Sequence, residues 1–209
     1  MDSLIRPASE LPPDPAAQAP TPGASAWNIA NALTVLRLAI VPFFAAALLA
    51  HDGHDNTTRI WAWVLFAVAS FTDRLDGELA RKRNLVTSFG KLADPIADKA
   101  LTGTALVVLS SLGDLPWWVT IAVLAREIGV TLLRFWVIQH GVIPASRGGK
   151  AKTFAQGIAI GLYVLPLTGI WATGRVGVMA IAVALTMVTG LDYVGRAVRL
   201  RRISKAQPR

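Results

Sequence analysis

Cysteine is absent from all 209 residues. Disulfides, thiolate metal ligands and a cysteine nucleophile are therefore excluded. Charge is scarce too: Asp, Glu, Lys and Arg make up 16% of the chain, where a water-soluble protein carries about 25%. Acidic residues are the scarcer sign, 13 against 21 basic ones, leaving a net charge of +8. Histidine occurs only at His51, His54 and His140, in loops or at a helix end, and this suggests no metal site. No apolar run follows a basic start at the N-terminus, so the first residues do not read as a signal peptide.

What the chain has in quantity is apolar surface. Hydrophobic residues reach 53% and mean hydropathy is +0.48, the balance of a small polytopic membrane protein with room for one domain. Residues 1–25, rich in Pro, Ala and Ser, read as a disordered cytoplasmic tail. Six apolar segments follow, at about Ala32–Ala50, Ile60–Asp73, Leu92–Leu112, Trp117–Ile138, Phe154–Trp171 and Val176–Val198. Each approaches the ~20 residues that cross a hydrocarbon core as a helix. The expected fold is all-α, with six transmembrane helices in a catalytic domain over 26–200 and a basic tail over 201–209. Trp61, Trp63, Trp117, Trp118 and Trp171 fall at segment ends, as an interfacial aromatic belt requires.

The basic residues flank these segments unevenly. Arg81, Lys82 and Arg83 follow the second, and Arg147, Lys150 and Lys152 follow the fourth. Arg196, Arg199, Arg201, Arg202, Lys205 and Arg209 close the chain, where they are placed to meet anionic headgroups of membrane lipids. The opposite loops hold only Arg59 and Arg175. The positive-inside rule puts the basic side and both termini in the cytoplasm. A nucleic-acid partner is disfavoured, because these charges flank membrane spans instead of forming a continuous patch.

The second segment ends in Asp73-Arg74-Leu75-Asp76-Gly77-Glu78-Leu79-Ala80-Arg81. At about 100° per residue, with Asp73 at zero, Asp76 falls near −60°, Ala80 near −20°, Gly77 near +40° and Arg81 near +80°. Two carboxylates, two small residues and an arginine share one stripe. Gly90, Asp94 and Asp98 repeat the pattern at about 0°, 40° and 80° on the third segment. A short turn joins the two segments, which predicts antiparallel neighbours with facing acidic stripes. Asp73 lies ~12 Å before Arg81 and Asp98 ~10 Å beyond Lys91 at 1.5 Å per residue, so Asp73 levels with Asp98 and Asp76 with Asp94.

Structural readings compete for each aspartate taken singly. Asp94-Pro95 is also a helix cap with proline at the first position, and Asp73 or Asp76 could pair with Arg74 or Arg81. Four carboxylates on two matched stripes are harder to explain that way. They cannot all stay ionised near a low-dielectric region without counter-charge, and intramembrane carboxylates default to function. All-oxygen ligation suits Mg²⁺ or Mn²⁺, with two ions a known arrangement for displacement at phosphorus.

The pattern Asp73-x2-Asp76-Gly77-x2-Ala80-Arg81-x8-Gly90-x3-Asp94-x3-Asp98 resembles the complete signature of the CDP-alcohol phosphotransferase family. The resemblance runs from about Asn28 to Tyr193. Asn31-Ala-Leu-Thr34-x2-Arg37, Arg126-Glu127 with Arg134, and Gly149-Lys150-Ala-Lys152-Thr153-x2-Gln156 resemble the bacterial members that use a glycerol phosphate acceptor, actinobacterial forms in particular. Ala30 departs from the proline that many relatives have before the Asn.

The resemblance implies a metal-dependent enzyme that passes a phosphatidyl group from CDP-diacylglycerol to sn-glycerol 3-phosphate and releases CMP. It implies Asp73, Asp76 and Asp94 as principal metal ligands, with Asp98 bordering the metals and taking the proton of the attacking hydroxyl. Gly77, Arg81 and Thr87 would contact the CDP moiety, and Asn31 and Thr34 would lie near its cytidine end. A homodimer is implied as well. Anionic glycerol 3-phosphate needs further cations, and Arg126, Arg134, Lys150 and Lys152 are the candidates for its phosphate. Arg126 sits mid-segment beside Glu127, but sequence neighbours on a helix point apart. It is therefore expected to need another partner, and a bound phosphate fits. Lys150 and Lys152 read equally well as topology signal on a cytoplasmic loop. Other acceptors of the same family, inositol phosphate or phosphatidylglycerol in cardiolipin synthesis, are the nearest alternatives. A six-helix transporter of divalent metal or organic anion is the alternative of another class. It would need acidic residues at mid-membrane or broken helices.

Overall fold

The structure, a computed structural model, describes residues 29–82, 88–137 and 147–206. These form six α-helices: α1 (Ile29–Leu49), α2 (Asn56–Lys82), α3 (Ser88–Ser111), α4 (Trp117–Val137), α5 (Arg147–Val164) and α6 (Gly169–Ala206). The stretch 1–25 lies outside the described residues. Helix α6 runs on to Ala206, so most of the expected basic tail continues the last helix.

Two helical stretches, Ala32–Gly53 and Gly169–Val198, are long and apolar enough on their own to cross a membrane. Each of α4 and α5 is 18 residues or more, but α4 carries Arg126, Glu127 and Arg134, and α5 carries Arg147, Lys150 and Lys152.

Helix α5 departs from the expected segment. Apolarity alone placed its start at Phe154 and its end at Trp171. The helix begins at Arg147, so Lys150 and Lys152 lie within its first two turns and not on a loop. It stops at Val164, two residues before Pro166, which cannot continue the hydrogen-bond ladder. Trp171 and the expected outer loop around Arg175 lie inside α6.

Helices α2 and α3 touch each other, but each packs more extensively on α1, while α5 packs on α6. The core collects Phe44 and Leu48 from α1, Phe66 from α2, Leu106 and Leu109 from α3, Val123 from α4, and Ile160 and Val164 from α5. Phe44 and Phe66 meet with ring centroids 5.8 Å apart. Ser110 and Thr120 hydroxyls bond at 2.7 Å, and Thr120 also donates to the Leu106 carbonyl at 3.1 Å, a buried polar tie between α3 and α4. Trp61, Trp117, Trp118 and Trp171 are exposed, as belt residues would be. Trp63 is not: it packs against the core, because it faces α5 at Gly161, where an added Cβ would lie 3.5 Å from its indole nitrogen.

The end of the bundle opposite the aspartates is held by a polar knot. The α1–α2 turn takes positive φ at His51 (53°), Asp52 (54°) and Gly53 (69°). At Gly53 that angle favours glycine, and a Cβ would also lie 2.6 Å from Leu112 Cδ1, which would have to shift. Asp55 caps α2 by accepting the Thr58 backbone N–H at 2.8 Å. That bond holds the Asp55 carboxyl below its ordinary value of 3.8.

Arg59 is buried beside this turn. It donates to the carbonyls of Gly53 (3.1 Å), Tyr163 (2.8 Å) and Val164 (3.0 Å), and to Asp114 Oδ2 at 2.7 Å. The last two carbonyls of α5 thus find the donor that their own helix cannot supply. Arg175 lies over the Tyr163 ring at 4.7 Å and reaches Asp114 Oδ1 at 3.9 Å. The two basic residues that stood out on this face therefore share one carboxylate.

Candidate functional site

Asp73, Asp76, Gly77 and Arg81 stand on continuous helix in the C-terminal half of α2, and Asp94 and Asp98 stand in the N-terminal half of α3. Spacings of three and four residues on intact helix place each pair on one face. The donor set, four carboxylates, fits a hard divalent cation. The side chains of these residues, and those of Asn31, Arg134 and Lys150, lie outside what the structure describes, as does Thr87 altogether.

A pocket of about 240 Å³ opens at this end of the bundle. Its wall draws on Ser70 of α2, three residues before Asp73, and on Lys99 and Thr102 of α3, one and four residues after Asp98. The pocket and the aspartates thus occupy neighbouring turns of the same two helices. Arg37 of α1, Glu127 of α4, and Lys152, Thr153 and Gln156 of α5 complete its polar lining. Phe66, Ala69, Leu101 and Leu124 supply an apolar back.

One turn of α4 holds both pocket lysines. Glu127 Oε1 accepts the Lys152 ammonium, and the Thr131 hydroxyl accepts the Lys99 ammonium. Thr131 donates in turn to the Glu127 carbonyl at 2.8 Å. Glu127 and Thr131 are four residues apart on one helix face, so the spacing of the two ammonium groups follows from α4. Lys152 is buried, with its side chain 7% exposed. Arg37, Lys99 and Lys152 against the single carboxylate of Glu127 leave the described lining positive, which suits an anionic occupant.

Arg126 was expected to need a partner other than Glu127, and it has protein partners that include Glu127 itself. Its backbone direction diverges from that of Glu127, yet the long side chain curls back and Nη1 reaches Glu127 Oε1 at 3.1 Å. Nε donates to the Thr186 carbonyl at 3.1 Å and Nη2 to Thr189 Oγ1 at 3.0 Å, both on α6. The guanidinium is satisfied without a phosphate and does not line the pocket. Gly190 makes this docking possible, since a Cβ there would stand 3.0 Å from Arg126 Cγ.

Thr34 is buried on α1, with 1% of its surface exposed. Lys152 is brought to the pocket as expected of an anion-binding residue, but from inside a helix. Arg37, Lys99, Glu127 and Gln156 are pocket residues to which sequence reasoning gave no role. For Arg37, Lys99 and Glu127 the signal was available, because a charged residue within an apolar helix is costly and needs a reason.

The family model for CDP-alcohol phosphatidyltransferase matches residues 27–188. A probable phosphatidylglycerophosphate synthase of Mycobacterium tuberculosis (strain ATCC 25618 / H37Rv) is 58% identical over 172 residues, covering 82% of each chain. The CDP-diacylglycerol–glycerol-3-phosphate 3-phosphatidyltransferase of Bacillus subtilis (strain 168) is 36% identical over 81% of this chain and 95% of its own. The Escherichia coli (strain K12) protein of that name is 34% identical over 82% and 95%. The family model spans both aspartate helices and the pocket, and the chain belongs to the CDP-alcohol phosphatidyltransferase family.

Proposed function

We propose that this chain transfers the phosphatidyl group of CDP-diacylglycerol to sn-glycerol 3-phosphate, giving phosphatidylglycerophosphate and CMP. The names of its relatives support this. The observation that carries it here is the positive pocket beside the aspartate turns, where Lys99 and Lys152 can receive an acceptor phosphate. The C1 hydroxyl oxygen of the acceptor bonds to the phosphorus that bears diacylglycerol. The bond from that phosphorus to the CMP oxygen breaks, and Asp98 takes the hydroxyl proton. Asp73, Asp76 and Asp94, with Asp98 at their border, would hold Mg²⁺ or Mn²⁺, two ions by the number of carboxylates. Bound there, the cations would neutralise charge on the diphosphate and on departing CMP. Gly77, Arg81 and Thr87 attend the CDP group, with Asn31 and Thr34 toward cytidine.

The proposal places six spans in the cell membrane, with the site and both termini on the cytoplasmic side. The small number of basic residues on the opposite face, Arg59 and Arg175, both drawn to Asp114, supports that orientation. A homodimer completes the reading.

Purified protein with Mg²⁺ or Mn²⁺ should release CMP from CDP-diacylglycerol only when glycerol 3-phosphate is present. Release driven by inositol phosphate or phosphatidylglycerol instead would replace the acceptor.

A further inference from the structure

The lysines of the pocket answer an anionic group, but the wall also holds a buried atom with the opposite need. Gln156 is 6% exposed, and among the described residues its Oε1 has no hydrogen-bond partner. Buried acceptors are nearly always matched by a donor, and leaving one unmatched costs stability. Nothing in the fold requires this: Gln156 lies in mid-helix, where an apolar residue of similar size would pack without the cost.

Its position relates it to the cations. Gln156 follows Lys152 by four residues, so the two share one face of α5 with Cβ atoms about 6 Å apart. Both line the pocket, as does Gly157, where an added Cβ would meet nothing within 4 Å. Gly157 therefore adds no side chain to the pocket wall beside the amide. The ammonium groups of Lys99 and Lys152 are turned to Thr131 and Glu127. Neither supplies the donor that Gln156 Oε1 requires, which leaves that donor to a bound molecule that also carries an anion.

We infer that Gln156 Oε1 accepts a hydrogen bond from a non-reacting hydroxyl of a short polyol phosphate whose phosphate lies at Lys152 and Lys99, making Gln156 a residue that selects the acceptor. The inference rests on the function proposed above and deepens it. In glycerol 3-phosphate the C1 hydroxyl reacts and the phosphate sits on C3. The C2 hydroxyl lies between them and is the spare donor, within one short molecule of the phosphate as Gln156 is within one helical turn of Lys152.

The test removes that hydroxyl from either side. 3-Hydroxypropyl phosphate keeps the primary hydroxyl and the phosphate of the acceptor and lacks only the C2 hydroxyl. The full-length wild type, purified in detergent with Mg²⁺, should prefer glycerol 3-phosphate by roughly tenfold in kcat/KM, the worth of one neutral hydrogen bond. In Gln156→Met that ratio should fall to near one, with the KM for CDP-diacylglycerol unchanged. Gln156→Glu keeps an acceptor oxygen and should keep the ratio while raising the KM for both acceptors, because a carboxylate repels the phosphate. Thermal unfolding identifies any variant that fails to fold, and the wild-type ratio stands without it.

A wild type that uses both three-carbon acceptors equally well overturns the inference, as does a folded Gln156→Met that keeps the preference, the result expected if a water serves the amide. A wild type that uses neither and turns over another acceptor overturns the proposed function instead, so the two failures are distinct.

Discussion

Arg59 and Asp114 meet at 2.7 Å across 55 residues of sequence, and the same guanidinium closes the end of α5 through the Tyr163 and Val164 carbonyls. One side chain thus ties α2, the α3–α4 turn and the end of α5, far from the aspartate turns. Arg59→Leu leaves Asp114 only the longer contact to Arg175 and strands three buried carbonyls, and should cost about 3 kcal/mol. Asp114→Ala leaves Arg59 its three carbonyls, and the loss should be about 1–2 kcal/mol. Thermal unfolding in detergent checks the order. Turnover per folded molecule should be preserved in both, since neither residue approaches the pocket.

Helix α6 contributes no described residue to the pocket lining, but it holds Arg126, which in turn bonds Glu127 in the pocket wall. A Cβ at Gly190 would press on Arg126 Cγ at 3.0 Å and on Nε at 3.1 Å. Gly190→Ala should displace the guanidinium, loosen Glu127 and cost about 1–2 kcal/mol through overpacking. Gly195→Ala on the same helix meets nothing within 4 Å and should be neutral or stabilising by up to about 1 kcal/mol. The KM for glycerol 3-phosphate should rise in the first variant only. An equal response in the two would disprove transmission through Arg126.

The order of the helices was legible because apolar windows separated by charged turns report it directly, and the run from Asp73 to Arg81 stands on helix as its periodicity implied. The start of α5 was not legible. A lysine next to a predicted loop looks like solvated topology signal, and only the packing of α5 shows Lys152 folded inward onto Glu127. Arg126 was read correctly as a charge needing partners, but those partners are a carbonyl and a hydroxyl about 60 residues away and a neighbour reached by curling back. Trp63 and Trp61 look alike in sequence, and the two-residue offset turns one to the core and the other outward. The need of Gln156 is invisible without coordinates, because it consists of a missing donor.

Asp55 offers a pH signature outside the membrane-spanning part. Its folded pKa is depressed by the Thr58 N–H bond, so its contribution to stability is present above the unfolded value and is lost as pH falls through the lower folded one. Asp55→Asn can still cap α2 but does not titrate. The difference in unfolding temperature between wild type and Asp55→Asn should therefore be constant at neutral pH and shrink below pH 3.8. A difference independent of pH down to acid unfolding would show that the charge of Asp55 plays no part.

The last prediction separates the aspartates by role. If Asp98 takes the proton while Asp73, Asp76 and Asp94 hold the cations, Asp98→Asn should still bind CDP-diacylglycerol in the presence of Mg²⁺. Its turnover should fall by about 10²-fold or more, the usual worth of general-base catalysis. Asp73→Asn should instead weaken binding of the CDP-lipid itself, and higher Mg²⁺ or Mn²⁺ should restore part of it, because a lost ligand is a deficit in cation affinity. A chelator should abolish wild-type turnover, and added Mg²⁺ or Mn²⁺ should return it. Lipid binding is read by equilibrium titration and turnover by CMP release, so the two losses are measured independently. Near-normal turnover in Asp98→Asn would assign the proton to another group. Identical behaviour of the two variants, both deficient in binding and both restored by metal, would make Asp98 one more ligand and leave the hydroxyl without a base among the four.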